Sequence, residues 1–221
     1  MDILLKYFSD FTSKQLDQFK ALDALYKDWN EKINVISRKD IDGLYEKHVL
    51  HSLSIAAAFD FPAGTEIIDI GTGGGFPGVP LAIFFPEVKF HLVDSIGKKL
   101  KIIEAVKEEI GLKNITTQHT RAEDIKTKKF DFAVSRAVAP LKDLWWWSKP
   151  LLKSKQLVVR SKQSAGIEGK EKVIQPGLIC LKGGDLKQEI FESGLRPKKM
   201  EINKIFDEEF FKEKYLLYVA L

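Results

Sequence analysis

Glu66-Ile67-Ile68-Asp69-Ile70-Gly71-Thr72-Gly73-Gly74-Gly75-Phe76-Pro77-Gly78-Val79-Pro80 is the stretch on which the fold turns. Its first half is short, apolar and β-branched, which suits a central parallel strand covered on both faces. Glycines 71, 73 and 75 then alternate, so the backbone bends sharply and brings its N–H groups close to a ligand that a Cβ would hold away. Pro77 fits the first turn of a helix, where no intrahelical donor is lost. Strand, bare turn and helix start together describe a nucleotide-type binding site.

Three readings of the turn compete. Residues 73, 75 and 78 satisfy G-x-G-x-x-G, the dinucleotide fingerprint, a weak signal when it stands alone. Residues 69–75 also read Asp-x-Gly-x-Gly-x-Gly, which resembles motif I of the Rossmann-like S-adenosylmethionine (SAM) methyltransferases. In that register the glycines begin directly after the strand, and Asp69 is placed to receive ammonium or ribose donors. The third reading makes the turn a device for tight strand–helix packing and nothing more.

From residue 66 onward, strands and helices alternate, the mark of a parallel sheet wrapped by crossover helices. Residues 89–94 form the second strand, ending in Asp94, where a carboxylate accepts both ribose hydroxyls. Residues 98–110 are an amphipathic helix stopped by Gly111. Residues 114–119 are the third strand, and the following loop makes Ala122 and Glu123 the candidates to edge an adenine. Residues 130–135 are the fourth strand, and Arg136 stands at its carboxyl end, the edge where open α/β sheets bind ligands. A fifth strand at 177–184, a short helix at 186–193 and closing strands at 198–206 and 214–220 complete the pattern. The expected fold is α/β and Rossmann-like, a mostly parallel seven-stranded sheet with helices on both faces.

Residues 1–60 read as a helical extension ahead of a single SAM-binding unit at 61–221. Leu4, Phe8 and Phe11 are spaced for one helical face. Thr12 or Ser13 caps a second helix carrying Leu16, Phe19, Leu22, Tyr26 and Trp29. The helix breaks within 29–36 and resumes over 39–59, and Asp60–Thr65, with Pro62 and Gly64, is the boundary. Trp145, Trp146 and Trp147 point in three directions, so at most two face a core; packing against the sheet and the N-terminal helices is expected. Cys180, in the fifth strand, is read as an inert core residue.

Composition bounds the rest. A chain of 221 residues, 44% hydrophobic and 30% charged with a formal charge of +4, is long enough for one α/β domain and permits an RNA partner without requiring one. One cysteine excludes an intrachain disulfide, and with no apolar run of membrane-spanning length and no signal-peptide pattern the expected compartment is the cytoplasm. No metal-ligating cluster is read. Residues 149–172 hold seven Lys or Arg against two Glu. This basic insertion, about 149–176, touches RNA phosphates or is simply solvated.

The chain resembles the bacterial small-subunit rRNA guanine-N7 methyltransferases, the glucose-inhibited division protein B family. The resemblance is carried by Trp29-Asn30 with Ile33-Asn34, His48-Val49-Leu50-His51-Ser52-Leu53, Asp69 through Ile83, Leu92-Val93-Asp94-Ser95 with Lys98-Lys99, Arg121-Ala122-Glu123, Ser135-Arg136-Ala137 and Leu181-Lys182-Gly183. It implies SAM as cofactor, with contacts at Gly71, Phe76, Ala122, Glu123 and Arg136, and 16S rRNA, the small ribosomal subunit or its precursor as partner. A monomer is expected. The family commonly has Asp-Ser-Leu where this chain has His51-Ser52-Leu53, and the basic insertion is longer than the family's usual connection; both bear on RNA contacts.

What is missing agrees. Exocyclic amine methylation usually comes with Asn/Asp-Pro-Pro-aromatic after the fourth strand, where this chain reads Ser135-Arg136-Ala137-Val138. Methylation at pyrimidine C5 needs a cysteine nucleophile, and the only cysteine lies in a strand. Guanine N7 has a free lone pair and no proton to remove, so direct displacement needs no general base, and no catalytic residue is named. RNA-contact candidates are Lys32, Arg38, Lys47, Arg136, Lys153, Lys155, Arg160 and Lys162. A non-catalytic SAM- or nucleotide-binding ribosome-assembly factor and a dehydrogenase are the alternatives.

Overall fold

The computed structural model describes residues 1–33, 35–37, 40–155, 157–160 and 171–221, with backbone alone at 157–160 and 171–174. Among the described residues nine strands are formed: β1 Glu66–Ile70, β2 Lys89–Asp94, β3 Ile115–His119, β4 Phe132–Arg136, β5 Leu157–Arg160, β6 Glu171–Ile174, β7 Gly177–Gly183, β8 Lys198–Glu201 and β9 Lys214–Ala220. Seven of them make one sheet in the order β3-β2-β1-β4-β7-β9-β8, while β5 and β6 pair separately and antiparallel. The sheet is parallel from β3 to β7, and only β9 runs against its neighbours β7 and β8. The expected mostly parallel seven-stranded sheet is what the chain forms, and its strand order reverses between β1 and β4.

Strand alternation explains why the central strands are apolar throughout. Ile67, Phe90, Leu92, Phe132, Val134, Ile179 and Leu181 enter one core layer, which includes the N-terminal helices. Ile68, Ile70, Val93, Ala133, Leu178 and Cys180 enter the other. The helices are α1 Asp2–Tyr7, α2 Ser13–Lys32, α3 His51–Ala58, α4 Gly78–Phe84, α5 Gly97–Glu109, α6 Leu141–Ser148 and α7 Lys187–Ser193. Residues of α2, α4 and α5 belong to the first layer, and those of α6 and the flank of α7 to the second. Cys180 is buried, and burial pushes its thiol up to about 12, so it is inert. Among the described residues no helix is long and apolar enough to cross a membrane.

The N-terminal helices begin and end where their chemistry says. Thr12 caps α2 with a full capping box: its Oγ1 accepts from Gln15 N at 3.2 Å, and Gln15 Oε1 accepts from Thr12 N at 2.9 Å. Such a cap contributes about 1 kcal/mol. Gln15 Nε2 also donates to the carbonyls of Ile83 and Phe84 at 2.9 and 3.1 Å, satisfying the end of α4. Four details differ from expectation. The first helix stops at Tyr7, so Phe8 and Phe11 leave its face and join a ring cluster with Phe84, at 5.3 and 5.9 Å. Residues 39–59 are not one α-helix: a 3-10 turn, Ile41–Gly43, runs into a π-helical segment, Leu44–Leu50, before α3. β8 stops at Glu201, where a 3-10 turn takes over. Trp145 and Trp147 pack in the second layer, away from the N-terminal helices, and Trp146 is 72% exposed.

His51 is buried with its ring edge-on to Phe210 and Phe211 at 5.7 and 6.0 Å. Burial and the nearby Arg136 charge hold it well below its ordinary pKa, so it is a neutral core residue.

Candidate functional site

The glycine turn lies at the carboxyl edge of the sheet, where the strand order reverses, the place open α/β sheets bind ligands. Gly71, Gly73 and Gly75 have φ of +66°, +58° and +100°, a region costly for any side chain. Gly71 and Thr72 N–H groups donate to the Val93 carbonyl at 2.9 and 3.0 Å, laying the turn across the end of β2. Gly73 N–H donates to Asp94 Oδ2 at 2.9 Å, and Ile96 N–H to Asp94 Oδ1 at 2.8 Å. A Cβ at Gly73 would meet nothing within 4 Å, whereas one at Gly75 would meet Val79 Cγ2 at 2.6 Å. Gly73 therefore opens onto free space, and Gly75 is needed for packing.

Asp69 is fully buried, because alternation along β1 turns it toward the start of α4. Its Oδ2 accepts from Thr72 Oγ1 at 2.6 Å and Gly78 N at 2.9 Å, while Oδ1 has no hydrogen-bond partner among the described residues. Burial pushes its pKa up to about 7, against the opposing pull of those two hydrogen bonds. The unfolded carboxyl titrates near 3.9. Between those values the folded chain holds the extra proton, so Asp69 lowers stability as pH rises from about 4 to about 7. Asp69→Asn keeps an acceptor for Thr72 and Gly78 and removes the charge. Its melting temperature should gain on the parent's as pH is raised from about 5 to about 8; parallel curves would mean an ordinary carboxylate.

A cleft of about 480 Å³ opens above the turn, a size suited to a nucleoside-bearing small molecule. Seven of the nine cofactor candidates line it: Gly71, Gly73, Phe76, Asp94, Ala122, Glu123 and Arg136. Asp69 and Gly75 do not; they stand behind the turn, one tying it and one packing it. Ala122 is buried at the start of a 3-10 turn, Ala122–Asp124, and Glu123 is exposed beside it. Val35, Val138 and Trp147 also line the cleft and carried no sequence signal for it. Val35 is held there by Asn30, whose Oδ1 accepts from Val35 N at 3.0 Å and Ile36 N at 2.9 Å.

The loop after β4 forms the far wall. Ala137 has φ of +51°, and a Cβ on Gly71 would lie 2.7 Å from Val138 Cγ1. Lys182 fastens this loop: its ammonium pairs with Glu189 Oε1 at 2.7 Å and donates to the Ala139 carbonyl, while Glu189 Oε1 accepts from Leu141 N at 2.7 Å.

Phe76 and Arg136 make the wall toward the N-terminal helices. The buried Phe76 ring lies against Tyr26 at 4.9 Å and His48 at 5.2 Å, and the Arg136 guanidinium sits 5.1 Å from its centroid. Tyr26 Oη donates to the Gly74 carbonyl at 2.6 Å, so α2 pins the turn directly. Arg136 donates to the Lys47 carbonyl at 3.2 Å and to His48 Nδ1 at 2.9 Å. Desolvation lowers the Arg136 pKa to about 10, which leaves it charged. Among the described residues it forms no contact ion pair with a carboxylate, though the buried Asp69 acts on it from a distance, and it lines the cleft.

These residues fit SAM. Open space at Gly73 admits a ligand against the backbone, Asp94 offers a carboxylate at the end of β2, and the Arg136 cation stands across the cleft.

Solved structures share the fold. A pre-rRNA processing fibrillarin from Methanococcus jannaschii aligns with a TM-score of 0.54 at 13% identity, covering 80% of this chain and 75% of that one. A SAM-dependent methyltransferase from Aquifex aeolicus aligns with a TM-score of 0.52 at 14% identity, covering 80% and 92%. A fibrillarin from Aeropyrum pernix with natively bound SAM gives 0.51 at 12% identity, covering 77% and 74%. These likenesses show a Rossmann-like fold of the kind that SAM-dependent methyltransferases have. The family pattern described as rRNA small subunit methyltransferase G matches residues 15–177. The protein of that name from Bacteroides fragilis is 52% identical over 221 residues, all of both chains, and that from Cytophaga hutchinsonii 48% identical over 219, 99% of each. The chain belongs to the rRNA small subunit methyltransferase G family.

Proposed function

We propose that the protein transfers the methyl group of SAM to N7 of a guanine in small-subunit 16S rRNA, in the cytoplasm and as a monomer, on free rRNA or a small-subunit particle. The observation that supports this reading is a cleft lined by seven of the nine cofactor candidates, in a chain related over its whole length to rRNA methyltransferases. Residues 61–221 serve as the methyltransferase unit, and residues 1–60 as an extension whose Tyr26 ties the glycine turn and whose Val35 lines the cleft.

When bound, SAM supplies a sulfonium-activated methyl group. The chain's own residues bind and orient. Asp94 accepts the ribose hydroxyls, Ala122 and Glu123 edge the adenine, and Arg136 offers its charge to the methionyl carboxylate. Gly71, Gly73 and Phe76 shape the floor. The N7 lone pair forms the new N–C bond as the S–C bond breaks and its electron pair stays on sulfur. No proton has to leave N7, so Asp69, tied inside the turn, is not needed as a base. Proximity and alignment supply the acceleration. Transfer of label from methyl-labelled SAM to deproteinised small-subunit rRNA tests the reading; SAM binding without transfer would favour the assembly factor.

Guanine N7 is hidden in the deep, narrow groove of an A-form helix, so the target base lies in a loop or is flipped out, and binding leans on phosphate contacts. Lys32 and Lys47 are already paired, with Asp28 and Asp40 at 2.7 and 2.6 Å. Lys153 pairs with Glu66 and Asp131 at 2.6 and 3.1 Å, which assigns it to holding the insertion to the sheet. Lys155 is exposed, the Arg160 side chain, Arg38 and Lys162 lie outside the described residues, and Lys99 and Arg121 line the cleft. Replacing Lys155, Arg160 and Lys162 with Gln should weaken rRNA binding, leave SAM affinity intact and lower the slope of log affinity against log salt by about 0.7–0.9 per lost contact. Superimposed salt plots would make the insertion a solvated one.

A further inference from the structure

We propose that His48 is a positioning residue for methyl transfer: its neutral imidazole Nδ1 accepts from Arg136 and aims the guanidinium across Phe76 into the cleft. The proposal rests on the reading of Arg136 as a SAM contact.

Alternation along β4 sends Arg136 to the same side as Phe132 and Val134, into the layer of the N-terminal helices. A guanidinium entering an apolar layer needs acceptors, and leaving one out costs more than the bond is worth. Two acceptors meet it, the Lys47 carbonyl and His48 Nδ1, with the Phe76 ring face beside them. Both are electrically neutral. A carboxylate in either place would orient the arginine equally well but would cancel the charge an anionic ligand group needs. Neutral acceptors fix direction and leave charge available.

The π-helical segment is what makes the Lys47 acceptor available. In an α-helix the Lys47 carbonyl would accept the N–H of His51. Here the His51 backbone N–H goes to the carbonyls of Glu46 and His48, and the Lys47 carbonyl is open to side chains, Arg136 and the His51 ring. A local departure from α-helical hydrogen bonding at a functional site is the usual place for such a segment. The His48 ring also packs on Phe76 at 5.2 Å, so its plane is set independently of the hydrogen bond. Burial, reinforced by Arg136, pushes its pKa down to about 3, which keeps the ring neutral; the Arg136 N–H on Nδ1 then leaves the ring's one proton to Nε2.

Calorimetric titration with SAM tests this on His48→Ala, His48→Asn, His48→Gln, Arg136→Ala and the His48→Ala/Arg136→Ala double variant, with circular dichroism melts of each ligand-free protein. Asn places an acceptor near the position of Nδ1; Gln places it one bond farther out. His48→Ala should weaken SAM by about tenfold or more, the worth of a hydrogen bond to a charged group. His48→Asn should recover most of that and His48→Gln should not. The double variant should bind no more weakly than Arg136→Ala alone. If Arg136→Ala weakens SAM while His48→Ala does not, or if Asn and Gln behave alike, His48 is a packing residue. If Arg136→Ala itself binds SAM like the parent, the reading of Arg136 falls first and the role of His48 with it.

Discussion

Gly73→Val should lose measurable SAM binding while the protein stays folded. Two effects act together. At φ of +58° a β-branched side chain is strained, at a cost of about 1–3 kcal/mol, which a domain with a typical stability of about 5–15 kcal/mol survives. The empty space beyond Gly73 is the cleft itself, so the valine methyl groups would occupy the ligand's volume. Gly73→Ala should fall between the two. Calorimetry with a melt of each ligand-free variant decides it, and unchanged SAM affinity in folded Gly73→Val would refute the turn as the cofactor's seat.

The second large effect is at Asp94. Its carboxylate does two things: it holds Gly73 and Ile96 N–H groups and it lines the cleft. Asp94→Ala should weaken SAM by at least about 1–3 kcal/mol, roughly five- to 150-fold, because a charged acceptor is lost and the turn is loosened with it. Asp94→Asn, which keeps one acceptor oxygen, should lose less. A change below a few tenths of a kcal/mol for the alanine variant would make Asp94 a backbone tie only.

Much of this was legible in the sequence because the signals are local. Strand β2 runs over the residues expected, and Gly111, at φ of +65°, follows the end of α5 as a left-handed stop should. Thr12 caps α2 through the Thr-x-x-Gln pattern. Seven cofactor candidates share one cleft because each lies at the carboxyl end of a strand or in the loop beyond it, and a parallel sheet brings those ends together.

What escaped depends on contacts far apart in the chain. Asp69 reads as a ligand group by its place before the glycines, but alternation turns it to Gly78. No composition marks Leu44–Leu50 as π-helical, because the acceptor left free there is taken by Arg136, a residue of another element. Val35 and Val138 reach the turn only because Gly74 and Gly71 leave room for them. Lys153 reads as one of a basic run, yet two carboxylates from the sheet claim it.

The most direct test of the account is to let the protein act on deproteinised small-subunit rRNA and on small-subunit particles with methyl-labelled SAM. Borohydride reduction followed by aniline then cleaves the chain wherever N7-methylguanosine has formed. The account predicts label in the RNA and cleavage at a single guanosine, both absent with Gly73→Val. Label without cleavage, or no label in either substrate, would contradict it.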